Sequence, residues 1–227
     1  MMTLSVDSPV DGADRFAAMR HAMVASQLRT NAVNDPRVVE AMSRVPREAY
    51  VPETVRSIAY RDTQLPLAGG RTQNLPMATG RLLTEAHVRH DDHVLLIGAA
   101  GGYTAAVLAL LAGSVVALEE EPALVALARA ALAEEKTVEL VEGPLAAGWA
   151  AAAPYDLLVI DGAVEHVPDT ILEQLKPGAR VVTGIVDRGV TRLASGRRSA
   201  GGFGLADFAD CDCAVLPGFA RPVSFRF

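Results

Sequence analysis

Cysteine is nearly missing from this chain: its 227 residues hold two, Cys211 and Cys213. Two thiols cannot staple a fold, and structural zinc normally takes four ligands, so the chain must stand on a hydrophobic core. The alternating spacing on a predicted strand sends the two side chains to opposite faces, which argues against a disulfide between them. No metal site is expected either, because His87, His90 and His93, in HVRHDDH, read as a solvated turn ahead of a strand. Aromatic residues are scarce at 5%, whereas half the chain is hydrophobic. That balance predicts a core of Ala, Val and Leu, as in parallel sheets covered by helices.

Long apolar runs are also lacking, and no stretch reaches the roughly 18 residues of a membrane helix. The opening MMTLSVDSPVDGAD has neither a basic start nor an apolar stretch, so no export signal is expected and the predicted location is cytoplasmic. Basic charge is in deficit, with 21 Lys plus Arg against 27 Asp plus Glu and a net charge of −6. Nucleic acid is therefore not an expected partner. Three chemical signatures are missing as well: the G-x-G-x-x-G spacing that accommodates a pyrophosphate, a Gly-Lys-Ser/Thr phosphate loop, and a Gly-x-Ser-x-Gly nucleophile elbow.

What is present is organised around VLLIGAAGGYTAAVLALLAGSVVALE, Val94 to Glu119. Val94 to Ile97 reads as a short buried strand, Gly98 to Gly102 as a tight turn, and Tyr103 to Leu111 as a helix packing back on a parallel sheet. In such a unit the glycines let a ligand approach the backbone, and an acid at the tip of the second strand accepts hydrogen bonds from ribose hydroxyls. Glu119 stands 21 positions after Gly98, where that role requires it. Asp161 and Gly162 end a later predicted strand, Tyr155 to Ile160, on the same carboxyl edge. A donor without phosphate suits the turn Gly-Ala-Ala-Gly-Gly.

The remaining pattern predicts a leader over 1–13 and one domain over 14–227. Within it, 14–90 carries N-terminal helices and a functional loop, and 91–227 carries the sheet. Helices are expected over about Arg15–Leu28, with Phe16, Met19 and Met23 as its stripe, and from Pro36, capped by Asp35, to Pro46. The long aperiodic stretch from Val51 to Pro76 ends in Arg71, Thr72, Gln73 and Asn74, bracketed by Gly69-Gly70 and Pro76. A helix is expected over about Met77–Ala86. Later expectations are a helix over Pro122–Glu134, a strand over Val138–Val141, a helix over Pro168–Leu175, a turn at Lys176-Pro177-Gly178 and a strand over Arg180–Val186. Strands at about Val190–Ser195 and Phe203–Val215 should form a closing antiparallel hairpin.

Seven segments in order, VPREAYVP, AYRDTQLPLAGGRT, VLLIGAAGGY, VVALEEEP, APYDLLVIDGAVEHVP, LEQLKPGARVV and LPGFARPVSFRF, resemble the protein-L-isoaspartate O-methyltransferases, in a divergent bacterial form. The resemblance implies a Rossmann-like class I methyltransferase fold: a seven-stranded, mostly parallel α/β sheet with N-terminal helices and a C-terminal antiparallel hairpin. It implies S-adenosylmethionine as donor, S-adenosylhomocysteine as product, and methylation of L-isoaspartyl and D-aspartyl carboxylates in damaged proteins or peptides. Carried over by position, the Gly98–Gly102 turn, with Gly98, Ala99, Gly101 and Gly102, would pass the donor's methionine part and Glu119 would hold its ribose, with Ile97, Tyr103 and Glu120 as further donor-site positions. Gly143, Pro144 and Asp161 would complete the donor site. Arg71, Thr72 and Asn74 would line the acceptor site, with Thr72 and Asn74 as the catalytic pair and Ala163 and Val164 flanking the acceptor peptide. Leu96 and Ala100 stand where the family pattern usually has an acid and a glycine, and Asn74 stands where it has serine.

Two other readings stay open on sequence: a binding protein that keeps the fold without the activity, and a methyltransferase for another carboxylate. The chemistry itself asks for no base, because a carboxylate of pKa about 4 is already an anion at neutral pH. Positioning alone can be worth about 7–11 kcal/mol.

Overall fold

In the computed structural model the described residues are 12–221. The expected leader therefore lies outside them up to residue 11, as does the closing PVSFRF, 222–227. Helix α1 (Gly12–Met23) already includes Gly12, and it runs on through a π turn (Val24–Leu28) and a 3-10 turn (Arg29–Asn31). Met23, Val24 and Leu28 are its buried residues, with Phe16 and Met19 packed partly beneath. Helix α2 (Pro36–Arg44) starts as predicted: the Asp35 carboxylate accepts from the Arg37 backbone N–H at 2.9 Å and Pro36 takes the first turn.

The aperiodic stretch that follows holds a single turn, α3 (Glu53–Arg56), and a two-residue antiparallel ladder of β1 (Leu65–Pro66) with β2 (Thr72–Gln73). It feeds α4 (Pro76–Ala86), with Pro76 in its first turn.

The main sheet then builds from β3 (His93–Ile97), α5 (Tyr103–Ala109), β4 (Ser114–Glu119), α6 (Pro122–Ala131), β5 (Val138–Glu142), β6 (Tyr155–Val164), α7 (Asp169–Leu172), β7 (Leu175–Asp187), β8 (Val190–Ser199) and β9 (Gly202–Asp210). Its order is β5-β4-β3-β6-β7-β8-β9, parallel from β5 to β7 and antiparallel through β8 and β9. The chain reverses direction across the sheet between β3 and β6, which is where open α/β sheets bind ligands.

Strand periodicity sorts the core into two layers. Val94, Leu96, Leu157, Val159 and Val182 face the layer built with the N-terminal helices. Leu95, Ile97, Leu158, Ile160 and Val181 face the other.

Several boundaries move. The β6 strand continues through Asp161, Gly162 and Ala163 to Val164, because the chain's own segment 214–216 pairs with its end: Ala163 N–H donates to Ala214 O at 2.7 Å and Leu216 N–H to Ala163 O at 2.9 Å. The expected Lys176-Pro177-Gly178 turn is absorbed into β7 as an irregularity, with Tyr155 opposite Leu175 and Leu157 already opposite Arg180. Gly178, at φ +84°, makes this possible.

The last strand stops at Asp210, so Cys211 and Cys213 leave the alternation that was to separate them. The two thiols are buried and free, and Cys211 Sγ donates to the Asp212 carbonyl at 3.6 Å. The Cys213 thiol is pushed up, first by the neighbouring Cys211 and then by burial. Among the described residues no helix is long and apolar enough to cross a membrane, and no group of His, Cys, Asp and Glu is arranged to hold a metal ion. His93 instead packs flat on Tyr155 at 4.8 Å and bonds Ser114 Oγ and Ala152 O through its two ring nitrogens.

A buried ion pair fixes the start of this sheet. Arg180 on β7 reaches Asp92 with Nη2 and the His87 carbonyl with Nη1 at 2.7 Å, while the other Asp92 oxygen accepts from Arg89 N–H at 2.7 Å. Removing one partner of a buried pair leaves an uncompensated charge and costs about 3–5 kcal/mol. Arg180→Met is therefore expected to lower unfolding free energy by that order in urea titration. A loss below about 1 kcal/mol would show that water replaces the guanidinium there.

Candidate active site

Two buried carboxylates stand on the carboxyl edge of the sheet. Glu119, last residue of β4, is fully enclosed and accepts four hydrogen bonds. Its Oε1 takes Arg71 Nη1 at 2.5 Å, Glu120 N–H at 3.0 Å and Glu121 N–H at 3.1 Å. Its Oε2 takes Ala100 N–H at 2.7 Å. The glycine turn is thus tied to the acid by its own backbone, and Ala100 adopts φ +51° to present that N–H.

The second carboxylate, Asp161, is a hub for three donors. Asn74 Nδ2 reaches Oδ1 at 2.8 Å, Thr79 Oγ1 reaches the same oxygen at 3.1 Å, and Thr104 Oγ1 bonds Oδ2. These donors come from the loop before α4, from α4 and from α5. Asn74 also accepts the Ala214 N–H on its Oδ1 at 2.7 Å, and its carbonyl accepts from Arg47 Nη2. Arg47 is wholly buried, donates Nε to Ala59 O at 2.9 Å and lies 4.8 Å above the Tyr103 ring. Burial pushes the Tyr103 hydroxyl up to about 12 although the Arg47 cation opposes it, so that phenol stays neutral.

The predicted residues are brought together in part. Gly98, Ala99, Gly101 and Gly102 form the turn between β3 and α5, with Gly98 and Ala99 N–H both bonded to Leu118 O. Gly101 must be glycine, since a Cβ there would stand 2.0 Å from the Tyr50 carbonyl. Ile97 and Tyr103 are buried on either side of that turn. Glu120 accepts from Leu145 N–H at 3.1 Å, and Gly143 N–H donates to Glu119 O at 3.1 Å. Arg71, Glu120, Gly143 and Pro144 line an open cleft of about 690 Å³ with Gly69, Glu121, Glu142 and Pro217.

The acceptor set is less open than predicted. Thr72, half-buried, donates to Gln64 Oε1 at 2.8 Å, whereas Asn74 points inward to Asp161. Ala163 and Val164 are covered because 214–216 lies over them. Leu96 is enclosed in the apolar layer against the N-terminal helices, so Leu96→Glu would bury a carboxylate among hydrocarbons rather than supply a ligand. Sequence reasoning missed Thr79, Thr104, Arg47 and Leu216. Arg47 lay in a quoted motif, VPREAYVP, but the threonines carry no local signal.

The right kinds of group for a nucleoside donor are therefore on this edge: a close-approach glycine turn, an acid at a strand tip and a cleft in front of it. Their fit is conditional, because a Cβ at Gly98 would meet Leu216 Cδ1 at 2.9 Å and Arg71 Nη2 at 3.5 Å. Side chains of the chain itself stand where the glycine leaves room.

This topology and this edge define a class I, S-adenosylmethionine-dependent methyltransferase. The chain belongs to the protein-L-isoaspartate(D-aspartate) O-methyltransferase family, whose model matches residues 19–207. It is 40% identical over 186 residues to protein-L-isoaspartate O-methyltransferase 1 of Rhodopseudomonas palustris (strain HaA2), covering 81% of this chain and 76% of that one. It is 39% identical over 212 residues to protein-L-isoaspartate O-methyltransferase of Methylorubrum extorquens (strain PA1), covering 91% and 93%.

Among solved structures, a protein-L-isoaspartate O-methyltransferase superimposes with TM-score 0.78 at 22% identity, over 88% of this chain and 66% of that one. The Plasmodium falciparum protein described as a putative member, in complex with S-adenosyl-L-homocysteine, gives 0.73 at 15% identity, over 87% and 97%. At those identities the two structures speak for the fold alone.

Asn74→Ala would strand two buried groups, the Ala214 N–H and one Asp161 lone pair, at about 1–3 kcal/mol each. A matching loss is expected in chemical denaturation, and Asn74→Ser should recover less than half of it, because a single hydroxyl cannot span both partners. Unchanged stability in the alanine variant would remove Asn74 from its bracing role.

Proposed function

We infer that this protein performs the family reaction, transfer of a methyl group from S-adenosylmethionine to the side-chain carboxylate of L-isoaspartyl and D-aspartyl residues in damaged proteins. The observation that carries the reading is the coincidence of a family match over 19–207 with Glu119 and the Gly98–Gly102 turn at the strand reversal. When bound, the donor supplies an activated methyl group on a sulfonium. The acceptor arrives as an anion, so the chain needs no general base. Its residues have to bind, orient and exclude water, and positioning of this kind suffices for a large part of the barrier.

In this reading Glu119 receives the ribose, the Gly98–Gly102 turn passes the methionine end, and Glu120, Gly143 and Pro144 border the cleft for the base. Thr72, bonded to Gln64, is the acceptor-side residue nearest the surface, and Asn74 is held inward on Asp161. One domain over 14–227, protein substrates rather than nucleic acid, and a cytoplasmic setting belong to the same reading. The continuous seven-stranded sheet supports the single domain, and the acidic net charge of −6 supports substrates other than nucleic acid.

The direct test is transfer of labelled methyl to an isoaspartyl peptide, with the aspartyl isomer as control. Glu119→Gln is expected to weaken S-adenosylhomocysteine by about 1.5–3 kcal/mol, the worth of a hydrogen bond to a charged group. Transfer to other carboxylates but not to the isoaspartyl peptide would favour a different acceptor class.

A further inference from the structure

Glu119 is closed to a bidentate ribose, because its Oε1 is crowded and the whole carboxylate is sealed from solvent. A carboxylate offers about two lone-pair positions on each oxygen, and three donors, Glu120 N–H, Glu121 N–H and Arg71 Nη1, already crowd Oε1, with Ala100 N–H on Oε2. Three of these belong to the backbone of the glycine turn and of the β4–α6 junction, and they cannot leave without dismantling the edge. The fourth sits on a side chain. Glu119 is 0% exposed and Arg71 6%, so the guanidinium seals the acid from solvent. A diol that hydrogen-bonds Glu119 must therefore take the seat of Arg71.

We propose that Arg71 is an internal competitor of the donor, and that donor binding is an exchange in which the ribose hydroxyls replace the Arg71 guanidinium on Glu119. The proposal rests on the donor reading of this edge.

Three features of the loop fit an exchange rather than a permanent brace. Among the described residues the buried Arg71 Nε has no partner, so the seat satisfies the side chain only partly. The residues before it, Gly69 and Gly70, have φ of +62° and +71°, and a Cβ at Gly70 would meet nothing within 4 Å. The loop is open on its outer side at Gly70, whereas Gly69 lies against the Glu121 side chain, where a Cβ would stand 2.2 Å from Oε2. A destination is also at hand, since Arg71 lines the cleft that Glu120, Glu121 and Glu142 border. A released guanidinium can swing to those carboxylates at the rim while the cleft in front of Glu119 fills. Leu216, packed against Gly98, closes the adjoining part of the turn and has to shift with it.

The expected consequence is an affinity set by the competitor. Calorimetry with S-adenosylhomocysteine should show Arg71→Gln binding at least tenfold tighter than the wild-type protein, while its ligand-free form melts at a lower temperature. A brace would give the lower melting temperature with unchanged or weaker binding, and that result overturns the exchange. If Arg71→Gln does not fold, Arg71→Lys carries the same test, because its ammonium keeps the charge but not the planar fork. It should bind about threefold tighter or more, and equal or weaker binding overturns the proposal. Saturable binding by the wild-type protein without any gain in the variants sinks the exchange alone. No binding by any of the three sinks the donor reading and the exchange with it.

Discussion

The Asp161 carboxylate is the constraint on which both halves of this molecule depend. Taking a carboxylate out of water is costly unless its lone pairs are filled, and here they are filled from three directions, by Asn74, Thr79 and Thr104. Each donor belongs to a different segment, so satisfying one charge fixes the loop before α4, the helix α4 and the helix α5 against the end of β6. Asn74 extends the same constraint to the C-terminal segment through the Ala214 N–H. The close of the sheet, the covering of Ala163 and the seat of Leu216 follow from that single acid.

Glu119 obeys the same rule at the neighbouring strand tip with a different outcome. Its donors include a cation, so the charge is cancelled as well as hydrogen-bonded. Buried pairs of this kind contribute little net stability, because the desolvation of both charges offsets their attraction. Such a contact is therefore cheap to exchange for another set of donors, while being costly simply to break. An acid whose backbone donors hold it in place and whose side-chain donor can leave is preorganised for a ligand, which differs from an acid committed to structure.

The fold was legible because its signals are local. Val94 to Glu119 carries a strand, a glycine turn, a helix and an acid in consecutive residues, and Asp35-Pro36 writes a helix start in two. Family likeness then supplied the seven-stranded, mostly parallel sheet, which no periodicity encodes. The site was legible by type and not by state. Glu119 and the turn stand where the spacing put them, but that Arg71 would sit on Glu119 depends on a contact across 48 positions, and that Asn74 would face Asp161 on one across 87. The misplaced cysteines have a similar origin: alternation holds only while a strand lasts, and this one ends at Asp210.

Arg47 and Asp161 bring the argument to charge balance. Among the described residues Arg47 is buried with carbonyl partners and no carboxylate in contact, and Asp161 with hydroxyl and amide partners and no cation in contact. Each would be an uncompensated charge taken alone. Asn74 joins them, accepting from Arg47 on its backbone carbonyl and donating to Asp161 from its side chain. In a low-dielectric interior such a chain polarises along its length and strengthens each of its bonds. The amide is therefore better suited to this position than a hydroxyl, since it provides a donor to Asp161 and an acceptor for Ala214 at once, which a serine placed there could not do at those separations. In this chain the position holds two buried charges and the C-terminal segment together, leaving Arg71 as the loop's polar group at the cleft.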